Sequence, residues 1–274
     1  MLRRESALVA FVVKPACSPL SGVTINASLL AVDEHLVEPG TREEMIRGER
    51  IEVAPSCPGR ADMRASLSYV MRTLAASGYV VAIQLLTRAG PSSDFATDVS
   101  VRRQGEDPQT GRRYLEELAF VVVSEQEQEP PHLQWRMEDL SLRGVRRLFA
   151  VFVDEDKVCE WSHADQGFVP LPADGALEDP ALVIPLPLGA LFGSTADRDD
   201  VVMSALWAKG NPMIKQLMFA SGVRDAIRCI FRGRGLPLGE PQKVRLEACS
   251  DVERLERWLM ASLTASIDDL LEVA

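Results

Sequence analysis

A chain of 274 residues, 46% hydrophobic and 26% charged, is long enough for one large domain, or a core with an appendage, and can bury a sizeable interior. Its net charge of −10 argues against a general nucleic-acid coat, which would rest on clustered lysine and arginine, while leaving room for a local basic groove. Cys17, Cys57, Cys159, Cys229 and Cys249 include no CxxC pair, so neither a disulfide framework nor a zinc ribbon is indicated and a reduced, cytoplasmic protein is expected.

The N-terminus, MLRRESALVAFVVKPAC, has a basic start, but its unbroken apolar run is only Ala7 to Val13. That is the lower limit for an export-signal core and far too short to cross a bilayer. Residues 1–30 are therefore expected to be a leader or edge segment, and no membrane partner is implied. EEMIRGERIEVA predicts a short helix, a turn at Arg47-Gly48 and a strand through Ile51 and Val53. In ADMRASLSYVMRTLAASG, Leu67, Val70, Met71 and Leu74 recur at the spacing of one helical face, and Gly78 sits where a helix commonly ends.

YVVAIQLL and DFATDVSVRR follow as strands. Alternation in the second puts Phe95, Thr97, Val99 and Val101 on one face, with Ala96, Asp98 and Ser100 on the other, more polar face. EELAFVVVSEQ is a buried strand with its apolar run from Leu118 to Val123. After the polar loop EQEQEPPH, a helix from Trp135 to Arg143 stops at Gly144. RRLFAVFVDED and KVCEWS form a hairpin about an acidic turn, and the prolines of PALVIPLPLGALFG confine that segment to an edge or irregular path.

Beyond residue 195 the pattern is helical, in RDDVVMSALWAKG, NPMIKQLMFASGVRDAIRCIF and SDVERLERWLMASLTA. Ser250 and Glu253 have capping-box spacing, and Leu255, Trp258, Leu259 and Leu263 line a face expected to pack on the sheet domain. The α/β class follows: a mixed sheet flanked by helices over residues 31–192, with a helical C-terminal extension over 193–274.

Several chemistries are excluded. His35, His132 and His163 accompany no GxSxG elbow, and the histidines and cysteines lack metal-ligand spacing. Gly233, Gly235 and Gly239 in RGRGLPLG do not fit GxGxxG, and no strand precedes them, so they mark a loop between helices. What remains is carboxylates on adjoining strands, which suit a hard cation such as Mg²⁺ that activates water for attack on a phosphodiester. Asp98, in a strand after a polar loop, is a suitable first ligand.

The ordered series EEMIRGERIEVAPSCPGRADMRASLSYVMRTL, GYVVAIQLLTRAGPSSDFATDVSV, ELAFVVVSEQ and RGVRRLFAVFVDED resembles the Uma-two family of restriction-endonuclease-like proteins, within the PD-(D/E)xK nuclease superfamily. The resemblance spans about residues 40–165. It implies a restriction-endonuclease-like fold and Mg²⁺- or Mn²⁺-dependent cleavage of DNA. Glu44 matches the family's early glutamate, and Asp98 matches its metal-binding aspartate, with Thr97 where a proline usually stands. Ser124 fits the end of the next strand, but the second acid's place falls on Val121. The family's lysine falls on Arg136, and its helix-start histidine has at best Asp62.

Glu117 and Glu125 share the strand parity of Val121, yet each lies about 13 Å away along a strand, against Mg²⁺–oxygen bonds of about 2.1 Å. Arg136 can steady a phosphate but holds its proton too firmly to be a general base. Two readings follow. One is a nuclease fold with an eroded metal site, serving as a binding or regulatory protein with a protein partner or as a homo-oligomer. The other is an active Mg²⁺-dependent endonuclease in which Asp98 and Glu44 hold the metal and Arg136 meets the phosphate. DNA contact would fall to the arginine clusters at 102/103, 112/113, 143/146/147 and 228/232/234.

Overall fold

The computed structural model describes residues 42–53, 56–124, 130–266 and 269–270, all within one compact unit. The leader expected over residues 1–30, and Glu125, lie outside the described residues. In chain order the elements are β1 (Arg42–Ile46), β2 (Glu49–Val53), α1 (Pro58–Leu74), β3 (Tyr79–Gly90), β4 (Ser93–Arg103), β5 (Glu106–Asp107), β6 (Arg112–Arg113), β7 (Glu116–Val123) and α2 (Pro130–Arg143). They continue with β8 (Arg147–Phe152), β9 (Lys157–Ser162), β10 (Gly167–Pro170), β11 (Ala176–Leu177), β12 (Leu186–Pro187), α3 (Gly189–Phe192), α4 (Thr195–Ala208), α5 (Pro212–Gly233), α6 (Glu240–Ala248) and α7 (Val252–Ala261).

The expected mixed sheet flanked by helices, followed by C-terminal helices, is what the chain forms. Among the described residues the main sheet runs β10-β9-β8-β7-β4-β1-β2, with β3 paired to β4. Only β7 and β8 are parallel, and α2 is the crossover between them. Strand β7 is buried on both faces, as its continuous apolar run demands. Leu118, Phe120 and Val122 join a core with Met63, Leu67 and Met71 of α1, while Ala119, Val121 and Val123 join a second core with Leu133, Met137 and Leu140 of α2.

Four local expectations are corrected. EEMI is strand β1, not a helix: Arg47 (φ 51°) and Gly48 (φ 83°) make a two-residue turn with both residues left-handed, which pairs Ile46 with Glu49. Helix α1 ends at Leu74, capped at Ala75, and Gly78 (φ 84°) instead turns the chain into β3. In β4, Phe95 belongs to the α2 core but Val99 and Val101 to the α1 core, so the tip of the β3–β4 hairpin crosses to the other side and strict alternation fails. Helix α7 is capped by Asp251, whose side chain accepts the Arg254 N–H, and not by Ser250.

The C-terminal apolar stripe also packs differently from expectation. Leu255 and Trp258 bury against Val223, Ile227 and Phe231 of α5, in a cluster built from the C-terminal helices, while Leu263 is exposed. Asn211 caps α5 by accepting the Ile214 N–H, and Pro212 opens its first turn.

Candidate functional site

A strand has two edges. Strand β3 occupies one edge of β4 from Tyr79↔Arg103 to Gly90↔Ser93. The other edge is shared: β7 pairs with Val99–Arg102, and β1 meets β4 at Met45↔Asp94. Between these contacts the sheet forks, and its ladder leaves backbone groups to be satisfied by side chains. Glu44 and Asp98 both do this. Glu44 Oε1 accepts the Ala96 N–H at 3.1 Å, and Asp98 Oδ2 accepts the Val122 N–H at 2.7 Å. Asp98 thus takes up the β4–β7 pairing one residue beyond the last ladder pair, Val99↔Phe120, beside Val121.

Both carboxylates are buried, and both also meet guanidinium groups. Asp98 Oδ1 lies 2.5 Å from Arg64 Nη2, and its Oδ2 accepts from Arg60 Nη2 at 3.4 Å. Glu44 Oε2 accepts from Arg136, whose guanidinium also sits 5.1 Å over the Phe95 ring. Asp98, Glu44 and Arg136 therefore gather about one fork, with Val121 (3% exposed) facing the α2 core beside them. Asp62 is exposed on α1. Glu117 is turned to Arg103 and Arg146, at 2.9 and 2.6 Å. Ser124 and Thr97 are buried, and their hydroxyls find no partner among the described residues.

Two residues that hold Asp98 were missed from sequence, although their signal was present. Arg60 and Arg64 continue, at helical spacing, the stripe that buries Leu67, Met71 and Leu74 on α1. A charged pair on a core-facing stripe calls for buried acids opposite it. A second network beside the fork was also missed. Asp139 of α2 accepts from Ser93 Oγ at 2.6 Å and from Arg47 Nε and Nη2 at 3.1 and 3.0 Å, while the Arg47 N–H donates to Ser93 Oγ at 2.9 Å.

Mg²⁺ wants about six oxygens in near-octahedral array. At the fork all four carboxylate oxygens already accept from a backbone N–H or face a guanidinium, and three arginines meet two acids. The Val121 side chain supplies no oxygen, and among the described residues no three His, Cys, Asp or Glu side chains stand together as a metal site. The residues present do not fit the divalent ion that the resemblance implies.

The arginine clusters are largely committed as well. Arg103 pairs with Glu117, and Arg113 with Glu116. Arg146 and Arg147 share Asp179, and Arg147 also clasps Glu160 through Nε and Nη2 at 2.6 and 2.8 Å. Arg228 pairs with Asp225 and Glu247, while Arg234 donates to the carbonyls of Ser262, Thr264 and Ala265. Burial by itself would raise the Asp179 pKa. Hydrogen bonds from Arg146, the Ala181 N–H and Arg147 outweigh it and hold the group below the ordinary carboxylate value. No helix among the described residues is long and apolar enough to cross a membrane.

No protein-family model matches the chain, and no curated protein does. Among solved structures it is similar to a presumptive nuclease belonging to DUF820 from Anabaena variabilis, at 15% identity and a TM-score of 0.48, covering 57% of this chain and 93% of that one. That likeness assigns this chain no activity.

Proposed function

We propose that the chain is a restriction-endonuclease-like protein of the Uma-two type whose metal site has become an internal ion-pair lock, and that it works as a non-catalytic binding protein. The observation that carries this reading is the double commitment of the two acids. Asp98 and Glu44 each hold a backbone N–H and at least one buried guanidinium, where a nuclease needs free oxygens. The ordered segments of the sequence support the fold, and Val121 supports the loss of chemistry. Arginine does the charge-balancing that a divalent cation performs elsewhere, without activating water.

Calorimetry with Mg²⁺ and Mn²⁺, beside a DNA-cleavage assay in Mn²⁺, tests the proposal. Neither ion is expected to bind with a saturable isotherm, and no cleavage is expected. Tight binding that disappears in Asp98→Ala, accompanied by cleavage, would restore the endonuclease reading.

A further inference from the structure

Strand β3 is 12 residues long and pairs with β4 alone, so its other edge carries no strand among the described residues. Ala96 of β4 gives its N–H to Glu44 on the far side, and Leu86, which pairs with Ala96, therefore turns its own N–H and C=O away from β4. The register with β4 runs in step from Tyr79 to Arg88, so the two-residue period turns Val80 and Ala82 outward as well. Gln84 is left-handed (φ 50°), yet Ile83↔Val99 and Leu85↔Thr97 stay in line around it, and it inserts no extra residue.

Folded proteins usually guard such an edge with lysine, proline or a covering element. Here arginines guard one end only. Arg113 Nη2 donates to the Leu86 carbonyl at 3.4 Å, and Arg143 Nε donates to the Arg88 carbonyl at 3.1 Å. From Tyr79 to Thr87 the strand reads YVVAIQLLT, with no charged residue and no proline, and Ile83 is 49% exposed. Between Val80 and Gln84 no group outside β4 hydrogen-bonds the backbone among the described residues.

The unguarded end opens on a groove of about 580 Å³ beside Tyr79, Val80 and Val81, walled also by Val183, by Arg72 of α1 and by Lys209 at the elbow between α4 and α5. No acid lines it. Asp62 on α1, Asp197, Asp199 and Asp200 on α4, and Asp179 ahead of Val183 all stand outside the lining, and Asp199 takes the Tyr69 hydroxyl at 3.0 Å. Arg72 and Lys209 have no ion-pair partner among the described residues. Each sits at a helix carboxyl end, where a dipole of about half a charge leaves part of the cation uncompensated. Loss of hydration lowers the Lys209 pKa, and no carboxylate counters it.

We propose that the Val80–Gln84 edge takes an extended segment of a partner protein as an added antiparallel strand, with acidic residues at the segment's C-terminal end meeting Arg72 and Lys209. Strand addition draws affinity from main-chain hydrogen bonds and selectivity from pockets for side chains. An antiparallel segment finishes beside Tyr79, where the groove and its two cations lie. The open ladder calls for an extended backbone, and the cations call for acids. A second copy adding its own β3 would instead bring Arg143, likewise without an ion-pair partner among the described residues, toward Arg72 and Lys209. The edge is open whether or not the fork binds metal.

The test uses the full chain and a fluorescently labelled peptide that alternates valine and threonine and ends in two glutamates, beside the same peptide ending in two lysines. Anisotropy should show saturable binding of the acidic peptide and at least tenfold weaker binding of the basic one. N-methylation of alternate peptide amides should weaken binding at least tenfold in one alternation and by no more than about twofold in the other, as pairing along a single edge requires. Ala82→Pro, which removes an outward N–H, should weaken the acidic peptide at least tenfold with an unchanged thermal melt. Arg72→Glu combined with Lys209→Glu, made separately, should reverse the preference between the peptides and decides the matter if the proline variant fails to fold. Absence of saturable acidic-peptide binding, equal affinity for the two peptides, or an equal response to the two methylation patterns overturns the proposal. So does a dimer in sedimentation that Ala82→Pro dissociates, because it gives the edge to a second copy.

Discussion

The fork beside β4 and the elbow between α4 and α5 treat charge in opposite ways. At the fork, each carboxylate oxygen of Asp98 and Glu44 accepts from a backbone N–H or faces a guanidinium. At the elbow, Lys209 and Lys215 have no ion-pair partner among the described residues and lie in the same stretch as the exposed Trp207, Met213 and Phe219. Buried carboxylates with a partner at every oxygen hold a fold together. A surface whose groups lack partners is where a ligand would gain free energy.

The sharpest way to break that contrast is Asp98→Ala. It removes the carboxylate facing Arg60 and Arg64 and the acceptor of the Val122 N–H, and should cost about 3–5 kcal/mol in urea unfolding. A loss under about 1 kcal/mol would mean the fork is not a lock. Arg136→Met, which deprives buried Glu44 of its guanidinium, should cost about 2–3 kcal/mol by the same measurement.

A milder prediction concerns pH. The Asp179 pKa is lowered in the fold, so its contribution is present above the unfolded value of 3.8 and is lost as pH falls through the lower, folded value. Melting temperatures below pH 4 should therefore drop less steeply in Asp179→Asn than in the parent; identical acid limbs would refute this.

The smallest effect belongs to the elbow. Leu217→Ser should change unfolding free energy by no more than about 0.5 kcal/mol, as for an exposed position away from any cap or core. A large loss would place Leu217 in the core and erase the contrast.

Much of this was legible in the sequence. The apolar run of β7 and the helix face through Leu67, Val70, Met71 and Leu74 follow from period, whereas the grouping of Glu44, Val121 and Arg136 with Asp98 is what the resemblance implied. Failures came where distant parts decide local form. EEMI has good helix formers, and the hairpin that overrules them turns on Arg47 in a left-handed conformation, far from the usual Asn-Gly signal. The crossing of the β3–β4 tip could not be read either, because every residue from Phe95 to Val101 is buried and the pattern has no polar face to follow. The ion pairs of Arg60 and Arg64 with Asp98 link residues more than thirty positions apart, and only their place on the α1 stripe hinted at them.

Strand β4 serves three neighbours, and two of them divide a single edge. Its hairpin with β3 joins residues close in the chain, whereas its pairings with β7 and β1 close longer loops. A one-residue slip of β4 would displace its pairings with β1 and β7 together, so the register of this one strand sets the alignment of both neighbours on its shared edge.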